Sequence, residues 1–155
     1  MTRALAIAFF TTLLVTAARA ADPPADDVKR LQGEWRAVGV ELDGKKLGAD
    51  DAEAKAMRLA FKDNGLTFGT AAKPGRERKM TFVLDPAKAP KRIDLTSLDG
   101  QEKGVTAACI YELDGDRLTI CMPYFVPDPS VRPAEFKAGA GSGRMLLTLE
   151  RVKAK

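Results

Sequence analysis

The chain contains a series of short segments in which apolar and polar residues alternate, as in Met57, Leu59 and Phe61. A period of two is typical of a β-strand that buries one face. The pattern predicts eight strands, within residues 34–42, 57–62, 66–68, 79–84, 92–96, 105–113, 117–122 and 145–150, and marks a further candidate strand near Phe136.

Turn residues separate these segments. Asp43-Gly44, Asp63-Asn64-Gly65 and Asp114-Gly115-Asp116 each stand between two apolar stretches and favour tight turns. Helical turns are predicted only over the short stretches 26–31 and 48–55, which leaves no place for the crossover helices of a parallel sheet. We therefore expect an all-β fold, an antiparallel up-and-down β-barrel of about eight strands with a short N-terminal helical turn, because closure removes exposed strand edges.

The first 20 residues have the three parts of a secretory signal peptide: the positive Arg3, an uncharged run over 4–18, and Ala18-Arg19-Ala20 with small residues where a signal peptidase cuts. The run is shorter than the roughly 20 apolar residues of a membrane-spanning helix. We expect cleavage after Ala20, a disordered leader over 21–26 and a barrel domain over 27–152. The location is then extracytoplasmic, either periplasmic or secreted, with no membrane span after cleavage.

The charge balance does not indicate a nucleic-acid partner. The chain has 25 Lys and Arg against 21 Asp and Glu, a net charge of +4, and loss of Arg3 and Arg19 with the signal segment lowers this to +2. The densest basic cluster, Lys73, Arg76, Arg78 and Lys79, surrounds Gly75 and is predicted to be a solvated hairpin end. We therefore expect no nucleic-acid binding.

The absence of histidine restricts the possible chemistry. It excludes Ser-His-Asp and Cys-His catalysis, and it excludes zinc sites with imidazole ligands. Two cysteines are too few for a four-thiolate zinc site or an iron–sulfur cluster. The sequence therefore predicts no metal site, no cofactor and no enzyme.

Four motifs occur in order along the chain. They are Leu31-Gln32-Gly33-Glu34-Trp35, then Asp85-Pro86 with Pro90 and Ile93-Asp94-Leu95-Thr96, then Ile110-Tyr111-Glu112-Leu113-Asp114-Gly115-Asp116-Arg117-Leu118 leading to Cys121, and finally Arg132-Pro133 with Phe136. Together they resemble the uncharacterised small secreted domain family that is abundant in planctomycete bacteria, over about residues 27–152. The chain departs from the family's pattern at Cys109, where the family usually has glycine. That family has no established activity and is regarded as a lipocalin-like, calycin-type barrel.

The resemblance implies a specific contact at one end of the barrel. Gly33-Glu34-Trp35 matches the lipocalin G-x-W entry, and Arg151 stands where a lipocalin places an arginine across that tryptophan. A guanidinium on an indole face contributes about 0.5–2 kcal/mol. We therefore expect Arg151 to pack on Trp35 and to close the barrel, which is a structural role.

The two cysteines are predicted to lie on opposite faces of one hairpin. If Tyr111, Leu113 and Leu118 share the inner face, a turn at Asp114-Gly115 places Cys109 on the inner face and Cys121 on the outer one. This geometry disfavours a disulfide, although an oxidising compartment permits one. Cys109 is then a small buried apolar residue.

Four residues are candidates for ligand binding: Tyr111, Arg132, Phe136 and Asp94. Arg132 follows a Pro-rich loop, and it either forms an ion pair with Asp94 or Glu135 that ties the loop to the barrel, or faces a carboxylate ligand at the barrel mouth. Tyr111 has an apolar body and a polar tip, and it either lines a cavity or fills the core.

Two functions fit the sequence. The first is a binding module that holds a small apolar or amphipathic ligand in the barrel. The second is a filled-core structural or protein-interaction domain of the cell envelope, because the predicted inner face carries enough large side chains to fill a small barrel. An apolar void large enough for a ligand distinguishes the two, and an enzyme is the weakest hypothesis because histidine is absent.

Overall fold

The structure, a computed structural model, describes residues 24–71, 73, 75–124 and 126–153. In this part of the chain eight antiparallel strands close into an up-and-down barrel, and one further short strand lies beside it. The strands are β1 (Gly33–Leu42), β2 (Lys45–Leu47), β3 (Met57–Lys62), β4 (Gly65–Thr70), β5 (Arg78–Asp85), β6 (Lys91–Ser97), β7 (Thr106–Asp114), β8 (Arg117–Pro123) and β9 (Arg144–Arg151). The predicted lipocalin-like barrel class is therefore confirmed.

The barrel closes where the first strand pairs with the last. Trp35 lies opposite Arg151 at one end of the β1–β9 ladder, and Leu42 lies opposite Met145 at the other. β2 pairs with the second half of β1, so the extra strand is Lys45–Leu47. The candidate strand near Phe136 is wrong, because Phe136 lies in the irregular segment between β8 and β9.

Two short helices accompany the barrel, α1 (Pro24–Leu31) and α2 (Ala52–Ala56). α1 begins at Pro24 and thus includes residues that the sequence analysis assigned to the leader. Its first turn holds Asp26 and Asp27 and its last turn holds Lys29 and Arg30, an order that favours the helix dipole. The predicted signal segment, residues 1–20, lies outside the described residues.

The two ends of the barrel differ. At the closed end, where β1 begins and β9 finishes, α1 lies against the barrel, and the Gln32 side chain bonds to the backbone of Asp63 in the β3–β4 turn. At the opposite end, which we call the mouth, are the β4–β5 connection, the β6–β7 loop and the first residues after β8.

Large side chains fill the barrel from its closed end to its middle. Phe61 and Phe82 meet edge to face with ring centroids 5.3 Å apart. The inward side chains with at most 1% exposure include Trp35, Leu59, Ile93, Tyr111, Leu118, Ile120, Leu147 and Leu149. The hollow part of the barrel is therefore confined to its mouth.

The segment between β8 and β9 covers the outside of the barrel. Its residues 126–143, which we call the strap, lie over the outer face of β7 and β8. The backbone N–H of Ala108 donates to the Pro129 carbonyl at 2.9 Å, and the Cys121 thiol donates to the Lys137 carbonyl at 3.6 Å. Ile110 on that outer face is consequently only 1% exposed.

The β7–β8 hairpin has a different register from the predicted one. Leu113 pairs with Leu118 and Asp114 with Arg117, so the turn residues are Gly115 and Asp116. The positive φ of 56° at the first turn position falls on Gly115, which adopts it without a Cβ clash. The shift is two residues, which leaves every side chain on its predicted face.

Candidate functional site

The predicted contact between Arg151 and Trp35 is present at the closed end. The Arg151 guanidinium lies 4.2 Å from the centroid of the Trp35 ring. The same guanidinium donates to the carbonyls of Gln32, at 2.6 Å, and Arg30, and its Nε donates to Asp116 at 2.9 Å. Arg151 therefore joins the start of β1 to the end of α1 and to the β7–β8 turn.

Tyr111 fills the core and does not line the mouth. It is 1% exposed, and its hydroxyl donates to Oδ2 of Asp27 at 2.6 Å. Burial, together with the hydrogen bond to the Asp27 carboxylate, raises the pKa of the Tyr111 phenol. Of the two roles considered for Tyr111, the structure supports core filling.

The sequence analysis did not identify Asp27 as a buried charge. Its side chain is fully buried under α1, where it accepts bonds from Lys91 at 2.9 Å and from Arg30 at 3.2 Å. Sequence reasoning placed Asp27 among acids that favour a helix start. The sequence did contain a signal for its burial. Asp27 stands four residues before Leu31, which is also fully buried, and side chains at i and i+4 lie on the same face of a helix.

Arg132 and Asp94 form the predicted ion pair, but on the outside of the barrel. Nη2 of Arg132 lies 2.6 Å from Asp94, and Nη1 donates to the Cys109 carbonyl. Asp94 points outward because its neighbours Ile93 and Leu95 point into the core. The alternative in which Arg132 faces a ligand at the mouth is therefore wrong, and the pair fastens the strap.

Phe136 belongs to the strap and is partly exposed. It does not line the cavity at the mouth, and neither do Tyr111, Arg132 or Asp94. None of the four candidate ligand-binding residues is thus placed at that cavity. Instead, Arg132 and Asp94 attach the strap to the barrel, and Tyr111 attaches α1 through Asp27.

An apolar cavity of about 120 Å³ lies at the mouth. Its floor is made by inward residues of the barrel such as Leu59 and Leu95, and its upper wall by residues that follow β8, including Tyr124 and Val126. The cavity is also lined by three methionines, Met80, Met122 and Met145, and by Phe68. Methionine and aromatic side chains adapt to apolar molecules of different shape, so this lining suits a small apolar guest.

The cavity reaches the strap because the β7–β8 ladder is short. The last pair on its mouth side is Ile110 with Cys121, and beyond it Ala108 bonds to Pro129 instead of β8. Pro129 and Val126 of the strap consequently line the cavity. The strap therefore forms part of the cavity wall.

Among the described residues, two charged ones line the cavity, Arg78 at the start of β5 and Glu102 in the β6–β7 loop. They form an ion pair through Nη2 of Arg78 and Oε2 of Glu102. The side chains are 44% and 52% exposed, so the pair stands at the rim and not inside the cavity.

The two cysteines are free thiols. This agrees with the prediction that they lie on opposite faces of the β7–β8 hairpin. Cys109 belongs to the main core, whereas Cys121 faces the strap. Burial raises the pKa of both thiols, which disfavours the reactive thiolate form.

Within the described residues no group of three or more Cys, Asp or Glu side chains is arranged to hold a metal ion. None of the helices in these residues has the length and apolar character needed to cross a bilayer. Comparisons of the chain with protein-family models, curated proteins and solved structures gave no match. The geometry of the mouth is therefore the main indication of function.

Proposed function

We propose that the protein is an extracytoplasmic lipocalin-like barrel that binds a small apolar or amphipathic ligand at its mouth. The observation that carries this proposal is the apolar cavity lined by Phe68, Met80, Met122 and Met145. An apolar concavity with a small number of polar groups in its lining is the usual form of a small-molecule site. The packed lower barrel would serve as the rigid support for that site.

The size of the cavity limits the ligand. Its volume is about 120 Å³, and an apolar cavity of about 150 Å³ accommodates one benzene molecule. The site therefore suits a single ring or a short hydrocarbon chain. Larger ligands would need the strap or the β6–β7 loop to move.

A second candidate function is a filled-core structural or protein-interaction domain of the cell envelope. The close packing of Trp35, Tyr111, Leu118 and Leu149 favours it, since these side chains fill the lower barrel. The apolar cavity at the mouth favours binding instead, because a filled-core barrel has no need of an apolar concavity of this kind, whereas a small-molecule site does. We therefore place ligand binding first.

The location and family rest on sequence features. The pattern of residues 1–20 supports export, and the four ordered motifs support membership of the planctomycete family. The near balance of charges supports a small-molecule partner over nucleic acid. No catalytic residue is proposed.

Native mass spectrometry of the protein purified from its own cell envelope tests the function. We expect a fraction of molecules to carry an additional small mass that is released on unfolding. A protein that is always recovered at its bare mass, and that takes up no small aromatic compound when one is supplied in excess, would contradict the proposal.

A further inference from the structure

The basic cluster of the sequence lies at the mouth end of the barrel, and one of its members, Arg78, lines the cavity. Lys73 and Arg76 stand in the β4–β5 connection, and Arg78 and Lys79 begin β5, all with exposed side chains. Lys103 adds a further cation from the β6–β7 loop. A ligand entering the cavity therefore passes a predominantly basic rim, which attracts anions.

The acidic residues of the rim are already engaged by the protein itself. Glu77 accepts a bond from the Gly75 N–H at 3.0 Å, and backbone hydrogen bonds lower the pKa of its carboxyl group. Asp99 accepts from the backbone N–H of Lys79 at 3.2 Å, and Glu102 pairs with Arg78.

The cations of this region outnumber its acids. The β4–β5 connection, the start of β5 and the β6–β7 loop carry five described cations and three carboxylates, those of Glu77, Asp99 and Glu102. Lys73, Arg76 and Lys103 form no ion pair with any described residue. The excess leaves net positive charge at this end of the barrel.

Arg78 is the cation that a bound ligand would meet. It lines the cavity, and within the described part of the chain its guanidinium bonds only to Glu102, through Nη2. The remaining N–H donors are available to a second acceptor, and a planar guanidinium matches a carboxylate with two parallel bonds. Because both partners are about half exposed, the pair with Glu102 contributes little and its rearrangement costs little.

We propose that the ligand is a small organic acid, whose apolar part lies in the mouth cavity and whose carboxylate is bound by Arg78. The inference rests on the proposed function, because it assigns a ligand class to the same cavity. The three methionines and Phe68 favour a compact ring as the apolar part, since thioethers and aromatic rings contact each other favourably. Phenylacetate combines these features.

The experiment compares phenylacetate with its neutral analogue phenylacetamide, which has the same shape. The protein carries ¹³C in its methionine methyl groups, and the shifts of Met80, Met122 and Met145 report binding in the cavity. We expect phenylacetate to bind about threefold to fivefold more tightly at low salt, as for one exposed ion pair. Added salt reduces this preference, because charge screening weakens the binding of the anionic phenylacetate and leaves the binding of the neutral phenylacetamide unchanged.

Substitutions at the rim identify the responsible residue. Arg78→Met removes the preference for the acid while phenylacetamide still binds, and Glu102→Gln increases the preference because a competing carboxylate is removed. Arg36→Met is the matched control: Arg36 also pairs with an exposed glutamate, Glu150, at 3.0 Å, but it lies away from the cavity. We expect the control to keep the wild-type preference.

Two negative results have different meanings. Equal affinity of the wild-type protein for acid and amide, or an unchanged preference in Arg78→Met, would overturn the assignment of an acid but leave ligand binding in place. If neither compound nor toluene shifts the cavity methionines, the proposed function itself is wrong.

Discussion

The guanidinium of Arg151 lies 4.2 Å from the centre of the Trp35 ring, at the seam where the last strand meets the first. The indole N–H of Trp35 in turn donates to the Leu31 carbonyl at 2.8 Å. The two side chains therefore fasten the end of α1 and the β1–β9 seam to each other. This contact fixes the closed end of the barrel. The cavity lies at the other end, the mouth.

Removal of this cation is expected to weaken the fold. Arg151→Met loses the cation–π contact and the bonds to two carbonyls, so the free energy of unfolding should fall by about 2–4 kcal/mol. Urea unfolding, followed by the fluorescence of Trp35, the single tryptophan of the chain, measures the change. Arg36→Met, which loses only an exposed pair, serves as the control, and equal stability of the two variants would argue against the proposed role of Arg151.

Asp27 is expected to be important for stability although it lies near the start of the described chain. Asp27→Asn removes the carboxylate partner of Lys91, whose side chain is partly buried, and we expect this to cost about 2 kcal/mol. Asp26→Asn changes the neighbouring exposed acid, and we expect a change within about 0.5 kcal/mol. Thermal and urea unfolding of both variants provide the comparison, and equal effects would show that burial of Asp27 has no energetic consequence.

The raised pKa of Tyr111 predicts that the free energy of unfolding falls at alkaline pH. Its pKa is raised in the folded protein, whereas an unfolded tyrosine titrates near pH 10. Above about pH 10 the unfolded chain therefore loses its proton first, and the stability contributed by Tyr111 falls by up to about 1.4 kcal/mol per pH unit.

The variant Tyr111→Phe isolates this effect. Below about pH 9 it is less stable than wild type, because it loses the hydrogen bond to Asp27. Above about pH 10 the difference shrinks, since phenylalanine has no proton to lose. A stability difference that stays constant to pH 11 would be inconsistent with this account.

The strap should loosen when its ion pair to the barrel is removed. Arg132→Met loses the bonds to Asp94 and to the Cys109 carbonyl, and we expect a loss of about 1–2 kcal/mol and faster proteolytic cleavage within residues 126–143. Asp94→Asn should have a smaller effect, because the bond to the carbonyl remains. Arg92→Met, an exposed change two residues from Asp94 on β6, is the control, and cleavage at the same rate in all three variants would show that Arg132 does not hold the strap.

Local patterns were sufficient to predict the barrel. The alternation around Met57, Leu59 and Phe61 identifies inward positions, and the turn residues set the hairpins. Even the error in the β7–β8 register left Cys109 and Cys121 on their predicted faces, because a shift of two residues preserves the pleat.

The functional residues were less accessible to sequence reasoning. The pattern that placed Ile93 and Leu95 inside also placed Asp94 outside, so its assignment to a ligand site contradicted the strand pattern itself. The role of Arg78 could not be inferred in the same way. Its position at the cavity depends on Glu102 and on the residues after β8, which are distant in sequence and line the same cavity only in the folded barrel.

The most direct test of the mouth cavity is a titration with toluene that is monitored by the methionine methyl groups. We expect saturable shifts at Met80, Met122 and Met145, with Met57, which does not line the cavity, as the internal reference. Ala107→Phe places a ring in the cavity and should abolish the shifts, and Ala107→Leu should weaken them.

Val83→Phe adds the same ring at a position on β5 that is 68% exposed, and it should bind toluene as the wild type does. We expect saturable shifts that disappear in Ala107→Phe and persist in Val83→Phe. Cavity methionines that do not respond to toluene in the folded wild-type protein would contradict the proposed function.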